Sequence, residues 1–418
     1  MTPPMQIFTA ASHHDVLGFV LMIAVLLLTA RLLGELALRL GQPAVIGEIC
    51  AGILWGPSIL GYFFPWIQGY VVPGTATQGH LLEAFGLIGA MFLLLITGME
   101  TDIQLIRHHA RTVLGVAAGG IIVPFSTGFF LGQHIPANLL PNSDDRLIFS
   151  LFMATAMSIS AIPVIAKVLM DMNLTRRDIG QTILAAGMCD DTCGWILLSI
   201  VTALAAGQGI SAQSVSMSIG TVLFFLLFSF TFGYWFVKKA LDLVQDNIRS
   251  PHRLLTLVAV LMFAWASLSQ ALHLEPVLGA FVMGIIFGHL PRLPRQIREQ
   301  FQSIALGIFA PVFFAVAGLK VNIPSLLRPD LLSVAFWVIF VACFGKIVGT
   351  YLGARWIGGQ GHWKSLGYGV ALNARGAMEI IIATIGLSLG ILTQEMFSIV
   401  VLMAITTSLM APIALRWV

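Results

Sequence analysis

Along this chain the polar positions are the interruptions. Apolar residues run in long blocks, and Pro, Gly and charged residues punctuate the gaps between them. The pattern predicts thirteen apolar segments, at approximately 14–39, 43–62, 83–103, 107–133, 146–170, 179–205, 212–240, 252–273, 275–290, 299–320, 331–356, 364–390 and 394–417. A helix needs about 20 apolar residues to cross the hydrocarbon core of a bilayer, so blocks of this length read as membrane spans. The segment 275–290 is short for a full crossing and also fits a re-entrant helix.

Composition agrees with that reading. Of 418 residues, 58% are hydrophobic and 10% are charged, whereas a soluble domain carries roughly 25% charged residues. The predicted fold class is all-α: a polytopic membrane protein of about 13 transmembrane helices with inverted repeats and two crossing discontinuous helices. The net charge of +3 is not gathered into a basic run, so no nucleic acid partner is expected. The first 13 residues hold no Lys or Arg, which argues against a cleavable signal peptide. Cys50, Cys189, Cys193 and Cys343 all fall in apolar segments and read as free thiols.

Charge does fix an orientation. With the N-terminus outside and all thirteen segments crossing, sixteen Lys and Arg fall inside, from Arg39 to Arg416. Only Arg146, Lys320 and Arg328 fall outside. By the positive-inside rule this places the chain in a cell (inner) membrane with a cytoplasmic C-terminus. A faint internal repeat supports the pattern: MFLLLITGMETDI at 91–103 parallels PVFFAVAGLKVNI at 311–323. The copies sit in the third and tenth segments, an odd separation that inverts one against the other. Inverted repeats are common in secondary transporters, with the binding site near the midplane.

The candidate chemistry lies in the few polar residues inside the spans. Asp190 and Asp191 sit near the middle of GQTILAAGMCDDTCGWILLSIVTAL. A carboxylate there costs about 2.5–3.5 kcal/mol on insertion scales. One reading is a structural ion pair. The other is a site where a cation and a proton compete for one carboxylate, which couples the two fluxes. Lys346 lies mid-span in WVIFVACFGKIVGTYLGAR and is expected to pair with one of the two aspartates. Two helices look interrupted: one by Ser158, Ser160 and Pro163, the other by Asn373, Arg375, Gly376 and Glu379. Arg375 and Glu379 are four apart, a spacing that puts them on one helix face where they neutralise each other and the broken helix ends. Cys189 and Cys193 at i, i+4 read as packing residues rather than a metal site, and Glu48 lies near the inner end of the second span.

Six stretches in order resemble one family. GQPAVIGEICAGILWGPSILG, MSISAIPVIAKVL, GMCDDTCGWILL, APVFFAVAGLKVNI, CFGKIVGTYLG and LNARGAMEIIIATIGL are similar to the monovalent cation:proton antiporter-2 family, nearest its plant-type cation/H exchangers and bacterial sodium/proton antiporters. The resemblance runs from about residue 40 to the C-terminus. It implies an antiporter that exchanges Na+ or K+ for H+ by alternating access. It also implies a homodimer, in which a core of approximately 107–205 and 331–417 moves against a scaffold of approximately 14–62 and 212–290. Asp191 matches the family's ion-binding aspartate, and Lys346 matches the lysine that pairs, in the bacterial members, with the position of Asp190. Ser158 and Ser160 match the unwound region that supplies cation oxygens. The Asp190–Asp191–Lys346 trio amid plant-like motifs leaves Na+ and K+ both open. No cofactor, no resident metal and no enzymatic activity are expected, and with the chain stopping at residue 418 no soluble regulatory domain is expected. Rival readings are a channel-like protein, an intramembrane aspartyl protease and an organic-anion symporter on a similar fold. A channel would show a filter motif, and a protease needs its two aspartates on facing helices.

Overall fold

The computed structural model describes residues 12–72, 75–100, 110–141, 146–160, 165, 169, 174, 177–206, 212–247, 252–272, 274–290, 293–326 and 328–417. Every regular element among them is helical. The first six helices of more than ten residues are α1 (His13–Arg39), α2 (Ala44–Trp55), α3 (Ala76–Glu100), α4 (Ala110–His134), α5 (Arg146–Ser158) and α6 (Asp178–Ala206), with the short helices Leu60–Phe63 and Pro65–Val71 between α2 and α3. Next, α7 (Ala212–Phe228) continues through a π-helical turn at Ser229–Gly233 into Tyr234–Asn247. Then come α8 (Arg253–Ala271), α9 (Pro276–His289) and α10, which runs Arg295–Ile304, a π turn at Ala305–Phe309, and Ala310–Leu319. The chain closes with α11 (Pro329–Leu352), α12 (His362–Leu372), α13 (Ala377–Ser388) and α14 (Gln394–Trp417).

Ten of the described helices are long and apolar enough to cross a membrane, and three shorter apolar ones lie at Arg146–Ser158, Pro276–His289 and Met378–Ser388. Several ends differ from the hydropathy pattern. Helix α3 starts at Ala76 and α10 at Arg295, both upstream of the apolar blocks. The polar first part of α10, Arg295–Ile304, buries Ile297 and Phe301, so hydropathy alone starts the helix too late. The 14 residues of α9 rise only about 21 Å, short of a 30 Å core. Its side chains from Val277 to Phe287 are all buried, so protein encloses this helix.

Close packing sets the register between α4 and α11. A Cβ on Gly119 would stand 2.1 Å from the Gly349 carbonyl oxygen, and one on Gly353 would stand 1.9 Å from that of Gly115. Glycines four apart on α4, and on α11 with the π turn Gly353–Ile357 that continues it, let the backbones touch, as in small-residue contacts between membrane helices. This contact holds Lys346, one turn earlier on α11, against α4.

Two of the expected spans are broken. The helix expected over 146–170 stops at Ser158, and Ile159 and Ser160 are non-helical. Pro163, expected to cause this break, lies outside the described residues. The span expected over 364–390 is the pair α12 and α13, separated by Asn373–Gly376.

Candidate ion site at two helix breaks

A helix that ends in mid-membrane leaves its last carbonyls without intrahelical partners, and in a dry interior each must find another donor. At the end of α5 side chains supply all four. The Ser158 hydroxyl donates to the Thr155 carbonyl at 2.9 Å. Arg375 donates through Nη1 to the Ala156 carbonyl at 2.9 Å and through Nη2 to that of Met157 at 2.5 Å. Lys346 Nζ donates to the Ser158 carbonyl at 2.5 Å. Two cations therefore sit at the negative end of the helix dipole, where they are favoured. Both come from far along the chain, 188 and 218 residues from the carbonyls they meet.

The second break is closed from the first and from its own start. The Ser160 hydroxyl lies 2.8 Å from the Leu372 carbonyl at the end of α12. The Gly376 amide donates to Glu379 Oε2 at 2.6 Å, so Glu379 caps the positive start of α13. The Ser408 hydroxyl donates to the Arg375 carbonyl. Asn373 Nδ2 reaches Cys343 Sγ at 3.5 Å. Arg375 does not share a helix face with Glu379, as their spacing implied. Helix α13 begins only at Ala377, so Arg375 is free to turn toward α5 while Glu379 folds back on its own N-terminus.

Between the breaks sits a fully buried ion pair. Lys346 Nζ and Asp190 Oδ2 are 2.6 Å apart, and neither side chain has any exposed surface. An ammonium has three N–H donors. Those of Lys346 go to Asp190 Oδ2, to the Ser158 carbonyl and, at 2.8 Å, to the Gly120 carbonyl. The Gly120 acceptor has a local cause. Pro124 lies inside α4, and its missing N–H frees the carbonyl four residues earlier. The signal was a Gly-x-x-x-Pro in an apolar helix, which the reading of charged residues passed over. Ser160 Oγ is also 2.8 Å from Asp190 Oδ2. Its single proton serves either that carboxylate or the Leu372 carbonyl, so the hydroxyl links the break to the ion pair. Asp190 Oδ1, Asn373 Oδ1 and Glu379 Oε1 are buried acceptors with no donor among the described residues.

The structure thus brings together Asp190, Lys346, Ser160, the Ser158 carbonyl, Arg375 and Glu379. Ser158 offers this site its carbonyl, since its hydroxyl faces back along α5. Asp191 follows Asp190 on α6, and its side chain lies outside the described residues. Glu48 is buried on α2, well away in sequence and element from this cluster.

Arg375→Leu should leave the Ala156 and Met157 carbonyls unpaired. At about 1–3 kcal/mol for each orphaned group, a loss on the order of 2–6 kcal/mol is expected in thermal unfolding of the detergent-purified protein. Arg375→Lys, lacking the planar fork, should recover only part. A wild-type midpoint for Arg375→Leu would contradict this account of the break.

Residues 23–418 match the family described as "Sodium/hydrogen exchanger, transmembrane". The chain is 32% identical over 409 residues to Cation/H(+) antiporter 17 of Arabidopsis thaliana, covering 95% of this chain and 48% of that protein. It is 32% identical over 399 residues to the Na(+)/H(+) antiporter NhaS4 of Synechocystis, covering 94% of this chain and 95% of that one. The Na(+)/H(+)-K(+) antiporter GerN of Bacillus cereus is 28% identical over 399 residues, with 96% of each covered. The chain thus spans about half the length of the plant relatives it matches and nearly all of the bacterial ones. Among solved structures, the sodium proton antiporter MjNhaP1 of Methanocaldococcus jannaschii has the same fold, with a TM-score of 0.66, 16% identity and 96% of each chain covered.

Proposed function

The chain belongs to the transmembrane sodium/hydrogen exchanger family, and from that premise we propose that it is a secondary active antiporter exchanging Na+ or K+ for H+ across a cell membrane. Asp191 alternately binds the cation and the proton. Asp190 pairs with Lys346 when the cation is absent. The carrying observation is the meeting of two mid-membrane helix breaks at a buried carboxylate–ammonium pair, one residue from Asp191. Discontinuous helices of this kind bring free carbonyls and helix ends to a transporter's binding site.

In this reading the part at approximately 107–205 and 331–417 moves against the scaffold at approximately 14–62 and 212–290, within a homodimer whose N-termini lie outside. The Asp190–Asp191–Lys346 trio favours more protons than cations per cycle, hence electrogenic exchange. The relatives named for Na+, for K+ or for cations in general support the class and leave either ion open for this chain. The test is a pH-dye exchange assay in proteoliposomes, with Li+, Na+, K+ and Rb+ added at several pH values. Na+ or K+ should discharge a preset pH gradient saturably, and labelled cation should exchange one-for-one with unlabelled cation in counterflow. A gradient indifferent to all four ions would overturn the proposal.

A further inference from the structure

Away from the helix breaks, a cavity of 360 Å³ opens between α3, the α8–α9 junction, α10 and α13. Most of its wall is apolar, with Leu87, Phe313, Val316, Ile381 and Ile385 among the lining side chains. Three charged residues also line it: Glu83, Glu275 and Lys320. Lys320 Nζ donates to Glu83 Oε1 at 2.9 Å, so that pair is neutralised within itself. Glu275 precedes α9. Its backbone carbonyl accepts from Ser269 Oγ at 2.8 Å, while its carboxylate makes no hydrogen bond or ion pair among the described residues. Thr384 lines the same space, and its buried hydroxyl has no partner among the described residues either.

These features point to a guest with positive charge. When Glu275 is ionised, the two carboxylates and one ammonium leave one net negative charge, and it resides at Glu275. A low-dielectric chamber lined with charge of one sign focuses the field and concentrates ions of the opposite sign. At about 30 Å³ per water, the cavity holds on the order of a dozen waters, enough for a monovalent cation with much of its hydration shell. The cavity also has a direct relation to the ion site through α13. Ile381, Thr384 and Ile385 line it, while Glu379 caps the same helix at the broken end. Thr384 is five residues from Glu379, about 7.5 Å along the axis.

We propose that this cavity is a staging site for the transported monovalent cation, in which Glu275 supplies the charge and Thr384 a neutral oxygen. The proposal rests on the antiport reading given above. Glu275 then sets how readily the cation is captured, and contributes little to its final binding at the helix breaks. The Lys320–Glu83 pair stands at the rim and keeps the ammonium from repelling an arriving cation.

Two measurements on the full chain in proteoliposomes test it. Glu275→Gln should raise the half-saturating Na+ or K+ concentration about threefold or more, and more than it lowers the maximal rate. Glu275→Asp should stay near wild type. Independently of transport, Ser388→Cys places a thiol on the cavity wall. Its reaction with a cationic over an anionic methanethiosulfonate, scored above labelling of the four native cysteines, should favour the cation. Adding Glu275→Gln should reduce that preference severalfold. If the wild type exchanges and Glu275→Gln leaves half-saturation unchanged, the staging site is overturned. If the wild type does not exchange, the antiport reading fails instead, and a labelling preference indifferent to Glu275 overturns the cavity's charge selectivity on its own.

Discussion

Lys346→Met is expected to destabilise the protein by about 3–5 kcal/mol, the cost of removing one partner from a buried ion pair. The substitution keeps most of the side-chain volume, so packing loss is small. What is lost is a charge and three donated hydrogen bonds. Asp190 then keeps a carboxylate in a site with no exposed surface, and the carbonyls of Ser158 and Gly120 lose their donor. Replacing both charges by apolar residues of similar volume is often neutral, so Lys346→Met with Asp190→Leu should recover a large part of the loss. Thermal unfolding of the purified variants in one detergent reads both effects. A single variant as stable as wild type, or a double variant no better than the single, would contradict a dry, paired site.

The second large effect concerns transport. Asp191→Asn should reduce cation-driven proton exchange to background in the proteoliposome assay while leaving the fold intact. Asparagine keeps the shape and one carbonyl oxygen but can neither ionise nor take up a proton. A monovalent cation held at mid-membrane without a counter-charge costs about 2.5–3.5 kcal/mol or more, which at about 1.4 kcal/mol per decade is roughly a hundredfold. Stability should change far less than for Lys346→Met, so thermal unfolding separates loss of function from loss of fold. Robust exchange by Asp191→Asn would remove Asp191 from the proposed role. Asp190→Asn should differ in kind, since that carboxylate is already held by Lys346 and Ser160.

Much of this protein was legible before any coordinate. A bilayer forces long apolar stretches, so the order of the helices could be read from hydropathy. It also penalises mid-span charge, so Asp190, Asp191, Lys346, Arg375 and Glu379 stood out by scarcity. Their types and depth left two readings, a structural ion pair and a cation site. Helix ends were less legible. Polar first turns of α3 and α10 extend beyond the apolar blocks, because a helix continues as long as its backbone bonds can form, whatever its hydropathy.

What spacing along the chain could not determine was which groups meet. Lys346 and Asp190 are 156 residues apart, and the ammonium also needs the Ser158 and Gly120 carbonyls. Arg375 and Glu379, four apart, looked as if they shared one helix face; the chain leaves the helix at Gly376, so Arg375 bonds the end of α5 and Glu379 caps α13, while the two stay near enough to interact as charges. The sequence by itself determined that this chain is a many-helix membrane protein with a charged centre, because solvation energy depends on residue type and depth. Only the tertiary structure decided that the end of α5 is closed by cations from α11 and from the break before α13. Unpaired carbonyls are satisfied by whatever donor packing brings within about 3 Å, and packing across 188 or 218 residues leaves no periodic trace in the sequence.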